Sequence, residues 1–434
     1  MPIRLLPLIA ALGLLLALPA GARAADYVPD EVLVRYEQGT GGGVAAQVAQ
    51  DAGAEAIAPL PGGSEQLQIE DGDSVRETIA ELRQDPNVVY AVPNWRAHAA
   101  AGVPNDPAFG RQWNLFGPYG INVVEAWTLA EGLGARGGRG ALVAVLDSGV
   151  AYERRGRYRR APDLRRSTFV RPWDFIGRDR HPNDAYGHGT HVTGTIAQAT
   201  NNRVATAGIA FNARIMPLRV LDANGEGDSA AIARAIRYAA RYRADVINLS
   251  LEFPAEVRSA EIPDVLNALR FANRRGVVVV AAAGNQTDIT VAYPARAQSV
   301  IAVGATTPTG CQADYSNSGD DLDLTAPGGG ADAPNSDSAW DIAHCNPDSL
   351  GKPIFQQTFT RGVRRFGLPP IYEGTSMAAP HVSAISALVI ATKRLGANPS
   401  PRAVEEHLEA TARPTDRPDR YGAGLVDAAR ALAP

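Results

Sequence analysis

Val143-Ala-Val-Leu-Asp147-Ser-Gly149 starts as an unbroken apolar run and ends on a carboxylate followed by a turn signal. An apolar run without polar alternation reads as a strand buried on both faces. Similar runs recur at 215–218, 246–249, 276–283 and 299–303, with helical stretches such as 229–243 and 265–275 between them. Strands that alternate with helices imply crossover units and a parallel sheet covered on both faces. The expected fold of residues 104–434 is therefore one large α/β domain. In such sheets ligand chemistry collects at the carboxyl ends of the strands, where Asp147 falls.

Two further segments follow in order. Gly187-His188-Gly-Thr-His191 opens a helix expected through residue 197, and Gly374-Thr-Ser376-Met-Ala-Ala-Pro380-His381 opens a longer apolar one. Alone, Asp-Ser-Gly is a turn, a histidine is structural and a serine at a helix start is a cap. Together they supply an orienting acid, a base that takes and returns a proton, and a hydroxyl nucleophile. Ser376 lies at the positive end of its helix, where oxyanion charge would develop. Ala281-Ala-Ala-Gly284-Asn285 adds a carboxamide, Asn285, at the end of a buried strand. His188 and His191 are not a zincin pair, because no Glu stands between them. An esterase of the α/β-hydrolase type would show Gly-x-Ser-x-Gly and a Ser, acid, His order. A catalytically dead scaffold would have lost a member, and none is missing.

In this order and context the segments resemble the subtilisin family of serine endopeptidases, most closely its thermitase-like branch. The resemblance spans nearly all of 104–434. It implies a subtilisin-like fold and a secreted, self-processing endopeptidase that acts through an acyl-enzyme. Asp147, His188 and Ser376 would be its triad and Asn285 its oxyanion donor. Ser250, Leu251 and Glu252 would pair with extended peptide substrate and wall the primary pocket, with Ala282 and Gly284 opposite. Calcium is implied as a structural cofactor. Asp106 and Asp163 fall at carboxylate-ligand positions, Asn202 would give its side chain, and Thr200, Val204 and Thr206 would give carbonyls, all hard oxygen donors. Asp174, Asp179 and Asn183 resemble a second site in which Gly177 replaces a ligand.

The sequence departs from the family in three places: an arginine-rich insertion at 153–166, a long loop between Pro327 and Gly374, and Glu252 where glycine is usual. A carboxylate facing the pocket favours Arg or Lys at the cleaved residue. One facing solvent leaves a broad or apolar preference, and a basic-specific enzyme would threaten its own arginine-rich loop.

Ahead of this domain, Met1-Pro-Ile-Arg4, a leucine-rich run at 5–18 and Ala22-Arg-Ala24 fit a secretory signal over residues 1–24. The apolar core is too short for a membrane anchor and is interrupted by Pro7 and Gly13, and no membrane span is expected after its removal. Residues 25–103 form a small module and linker approximating β-α-β-β-α-β, a ferredoxin-like split unit. Ser74-Val-Arg-Glu77 is a capping box within it. The module resembles subtilisin-family inhibitory propeptides, a permanent substrate-binding domain being the alternative. Residues 25–100 carry thirteen acids against four arginines, a charge of −9, while residues 101–434 carry +3. Complementary fields of this kind favour association of the two parts, and nothing suggests a nucleic-acid partner. The two cysteines, Cys311 and Cys345, favour one disulfide in an exported protein, with two buried thiols as the alternative.

Overall fold

The protein, described here from a computed structural model, divides into two units, residues 1–100 and 101–434. The described residues are 27–70, 72–95, 102–334, 345–348 and 350–433; the signal read at 1–24 lies outside them. In the first unit the elements run β1 (Tyr27–Tyr36), α1 (Gly42–Asp51), β2 (Ala54–Leu60), β3 (Ser64–Ile69), α2 (Val75–Leu82) and β4 (Val88–Trp95). The sheet order is β2-β3-β1-β4, all antiparallel. Alternation along β1 sends Val32 and Val34 into a small core with Leu67, Ile79 and Leu82. The capping box forms as read: Ser74 N–H donates to Glu77 Oε2 at 2.9 Å and Glu77 N–H returns to Ser74 Oγ.

The second unit begins with α3 (Val123–Gly132) and then β5 (Leu142–Asp147). Short strands β6 (Thr168–Phe169) and β7 (Trp173–Asp174) lead to α4 (His188–Ala197), β8 (Arg214–Arg219), α5 (Ser229–Arg241) and β9 (Val246–Leu249). Then come α6 (Pro263–Arg274), β10 (Val278–Ala282), β11 (Ile301–Thr306), β12 (Leu324–Pro327) and a hairpin, β13 (Thr358–Arg361) with β14 (Arg365–Gly367). The unit ends with α7 (Thr375–Thr392), α8 (Pro401–Thr411) and two short helices. The main sheet runs β12-β11-β10-β9-β5-β8-β6, with β7 also on β8, and every pairing is parallel.

The apolar run at 143–146 is continuous because both faces of β5 are covered. Val143 and Val145 enter the core shared with α4 and α7, while Leu142, Ala144 and Leu146 enter the one shared with α5 and α6. By length and composition α7 is apolar enough to cross a bilayer, yet it is the buried central helix of this unit. The long apolar helix read from residue 376 onward is this one; a core helix and a span share one composition.

Candidate active site

Asp147 closes β5 and is fully buried. His188 is the first residue of α4, and its Nδ1 lies 2.8 Å from Asp147 Oδ1 and 3.0 Å from Oδ2. The glycines around it have a steric reason. A Cβ on Gly189 would stand 2.2 Å from the Gly149 carbonyl and 3.0 Å from Asp147 Cβ, so only glycine lets α4 start against the end of β5. Burial alone pulls the His188 imidazole down, but the charge and hydrogen bond of Asp147, with Asp184 nearby, raise it above its usual value. His191 takes no part. Its Nε2 meets the Ile354 carbonyl at 3.0 Å, and burial pushes it down to about 3.

Sequence reading missed Asp184. This fully buried carboxylate accepts from Tyr186 N–H, Gly187 N–H, Thr190 N–H and Oγ1, and Ser148 Oγ, all at 2.6–3.0 Å. It thereby ties the turn after Asp147 to the turn that presents His188. Its signal in Asn183-Asp184-Ala-Tyr is only that of a turn.

Gly374 caps α7, so Ser376 lies within the first turn rather than at the cap. Pro380 has no N–H and leaves the Ser376 carbonyl without its helical partner. Ser250 Oγ, just beyond β9, takes that place at 2.8 Å. In return Ser376 Oγ donates to the Ser250 carbonyl at 3.3 Å. Thr375, unremarked in the sequence, fixes the carboxamide of Asn285. Its N–H and Oγ1 both reach Asn285 Oδ1, at 2.8 and 3.0 Å. A backbone N–H can only donate, so Oδ1 faces Thr375 and Nδ2 is the end left to donate. The structure thus brings Asp147 onto His188 and Asn285 against the turn bearing Ser376.

The residues expected to wall the primary pocket meet at Glu252. Ser250 and Leu251 are buried at the end of β9, and Ala282 ends β10. Glu252 Oε2 accepts from Asn285 N–H at 2.9 Å and stands 2.9 Å from where a Cβ of Gly284 would be. The half-buried carboxylate is therefore turned onto the Gly284–Asn285 backbone. Burial raises it above its ordinary range, against hydrogen bonds from Gln286 and Asn285. No Lys or Arg pairs with it among the described residues.

Residues 138–424 match the subtilase family, and residues 17–94 match the fervidolysin N-terminal prodomain. The chain is a subtilase. It is 34% identical over 368 residues to a thermophilic serine proteinase of Bacillus sp. strain AK1, covering 85% of this chain and 79% of that one. It is 33% identical over 330 residues to thermitase of Thermoactinomyces vulgaris, covering 76% and 99%. A solved protease structure from Pseudoalteromonas arctica superposes with a TM-score of 0.62 at 31% identity, covering 76% and 99%. This subtilase is accordingly a serine endopeptidase with an N-terminal prodomain, of the thermitase-like kind.

The residues expected to hold calcium in this subtilase lie together. Asp106 accepts from the N–H groups of Asn201 and Asn202, while Asp163 accepts from Asn202 Nδ2 at 2.7 Å and Thr206 N–H at 3.0 Å. Both carboxylates are buried, and burial pushes Asp163 up to about 7, with Asp106 adding like-charge repulsion. Along the loop Asn201, Arg203 and Ala205 all adopt positive φ. They alternate with Thr200, Asn202, Val204 and Thr206, the proposed oxygen donors. The second set is different: Asp174 is neutralised by Arg219 at 3.0 Å, and Asn183 binds Glu153. Cys311 and Cys345 are joined in a disulfide, with 5.9 Å between Cα atoms.

Proposed function

We propose that this subtilase is a secreted zymogen that hydrolyses peptide bonds at Asp147, His188, Ser376 and Asn285. The observation that carries the reading is a pair of fixed contacts: His188 Nδ1 held on Asp147, and the Asn285 carboxamide clamped by Thr375, the residue before Ser376. An extended substrate lies along Ser250–Glu252. Ser376 Oγ leaves the Ser250 carbonyl, gives its proton to His188 Nε2 and attacks the scissile carbonyl carbon. The oxyanion receives hydrogen bonds from Asn285 Nδ2 and the Ser376 N–H. Asp147 stabilises the imidazolium, which then protonates the leaving amine. Water enters by the same route and releases the acyl group. Parent and Ser376→Ala protein are compared by intact mass and by turnover of casein and a short acyl ester. The parent should cleave casein and shed its prodomain; equal casein cleavage by Ser376→Ala would sink the assignment.

In the zymogen, residues 25–103 assist folding and then block the cleft, and self-cleavage between Pro93 and Pro104 releases them. The −9 charge of 25–100 against +3 in 101–434 supports their association. A leader at 1–24 and a disulfide both fit an exported protein.

Calcium fits the 200–206 loop. Two buried carboxylates with no cationic side chain bonded to them, set beside a backbone bent through three left-handed non-glycine residues, need a compensating charge. Asp106, Asp163, Asn202 and the carbonyls of Thr200, Val204 and Thr206 would hold it. The ion would supply stability rather than chemistry. Glu252 would supply the specificity, a preference for Arg or Lys at the cleaved residue; what supports this is a half-buried carboxylate lodged at the Gly284–Asn285 backbone with no cationic side chain bonded to it.

A further inference from the structure

The arginine-rich insertion and the β13–β14 hairpin are distant in sequence but share one apolar core. Val150, Ala151, Tyr152, Ala161 and Leu164 pack with Phe359 and Phe366. Arg364 Nε also donates to the Arg157 carbonyl at 3.0 Å. Seven of the sixteen residues 151–166 are arginines, and the hairpin adds Arg361, Arg364 and Arg365. Eight of these ten are exposed. Arg159 and Arg160 instead spend their guanidinium donors on loop carbonyls. Among the described residues none of the ten forms an ion pair. The acids between them are engaged elsewhere: Glu153 with His181 and Asn183, Asp163 with Asn202 and Thr206.

This patch adjoins one flank of the catalytic histidine. Thr358 Oγ1 donates to the Gly187 carbonyl, and the Phe359 ring lies 3.2 Å from where a Cβ of Gly187 would be. Ala151 N–H donates to Thr190 Oγ1 at 3.0 Å. Gly187 and Thr190 bracket His188, the residue that protonates the leaving amine. The acyl half of the substrate is held elsewhere, at the ends of β9 and β10. The leaving half of the substrate, which carries the new amine, departs past His188, beside which the two arginine-bearing segments are packed.

We infer that the two arginine segments form a subsite for acidic residues on the leaving-group side of the scissile bond. This rests on the endopeptidase reading and names a substrate class for it. Planar guanidinium groups suit bidentate capture of Asp and Glu carboxylates. A positive field at the mouth of the site also raises the encounter rate with such peptides, an effect that fades as salt rises. A polypeptide is favoured over a nucleic acid because the patch borders the cleft of a peptidase.

The test uses internally quenched peptides identical up to the cleaved bond, followed by four residues that are Glu/Asp-rich or Gln/Asn-rich. A third peptide carries the acids on the acyl side only. At low salt the leaving-side acidic peptide should show about tenfold higher kcat/KM than the neutral one. The advantage should shrink to within about twofold at high salt and in Arg154→Gln/Arg361→Gln/Arg365→Gln protein. Cleavage of the neutral peptide should be unchanged by those substitutions, which confirms that the variant is folded. Equal rates for acidic and neutral peptides, or an advantage that survives in the variant, would overturn the subsite. So would salt-sensitive binding of a DNA oligonucleotide by Ser376→Ala protein without any acidic preference. Failure to cleave even the neutral peptide would instead overturn the peptidase reading.

Discussion

Replacing Glu252 by Gln isolates the charge of the pocket wall. Glutamine keeps the volume and an acceptor for the Asn285 N–H, which Glu252 Oε2 now holds at 2.9 Å. Two unit charges 4 Å apart interact by about 4 kcal/mol at the effective dielectric of a protein surface. Desolvating both groups consumes part of that, leaving the range of a hydrogen bond to a charged group, about 1.5–3 kcal/mol. The ratio of kcat/KM for Arg over Leu at the cleaved position should therefore fall by roughly 10- to 150-fold in Glu252→Gln. Burial raises the Glu252 carboxyl above its ordinary range, so the parent's preference should itself fade as pH drops through that raised value. The assay is a peptide series varied only at the cleaved residue, read across pH 5–9. A basic-specific enzyme would also mature itself after Arg96, the one Lys or Arg between Pro93 and Pro104. Indistinguishable Arg-to-Leu ratios in parent and variant would refute the reasoning.

Asp147→Asn should lower kcat by on the order of 10⁴-fold. It should also move the acid limb of the pH–activity profile downward, because Asp147 is what offsets the burial of His188; an unmoved limb would argue against that. Exhaustive chelation should lower the melting temperature and speed autolysis, since calcium at about a hundred times its Kd adds about 2.7 kcal/mol; Asp163→Asn should make the protein insensitive to the chelator. Cys311→Ser/Cys345→Ser should cost about 3–4 kcal/mol for a loop of this length, checked by thermal melts of the inactive Ser376→Ala background. Burial and neighbouring acids push Asp323 and Glu405 up to about 7. A carboxyl so raised destabilises the fold as pH climbs from its ordinary range through 7. Glu405→Gln should thus stabilise by about 1–2 kcal/mol at pH 8, after solvent screening, and by nothing at pH 4, a contrast visible in melts at the two pH values.

The elements that sequence made legible are those whose chemistry is repeated along the chain. β5 and β10 are buried on both faces and so read as solid apolar runs, and the Ser74–Glu77 box announced α2. β6 and β7 are two residues each and sit among arginines, where no period can develop. The β13–β14 hairpin is likewise set by packing of Phe359 and Phe366 on a segment two hundred residues earlier. At the site, Asp147 and His188 could be chosen from their motifs, and the structure seats them in contact. The groups that hold them were opaque. Asp184 acts through N–H groups of its own turn and the Ser148 hydroxyl, and Thr375 through its own N–H and hydroxyl on Asn285, pairings that leave no trace in residue type. Pro380 was readable in retrospect: a proline in a helix always orphans the carbonyl four residues before it, here that of Ser376.

The bond from Ser376 Oγ to the Ser250 carbonyl works as a catch. While it is closed the hydroxyl proton is committed to that carbonyl rather than to His188, and the carbonyl is an acceptor that an incoming strand would claim. A substrate lying along Ser250–Glu252, as proposed above, would open the catch as it binds, whereas a short ester or a small acylating reagent would leave it shut. Peptide length on the acyl side should then appear in kcat and not in KM alone.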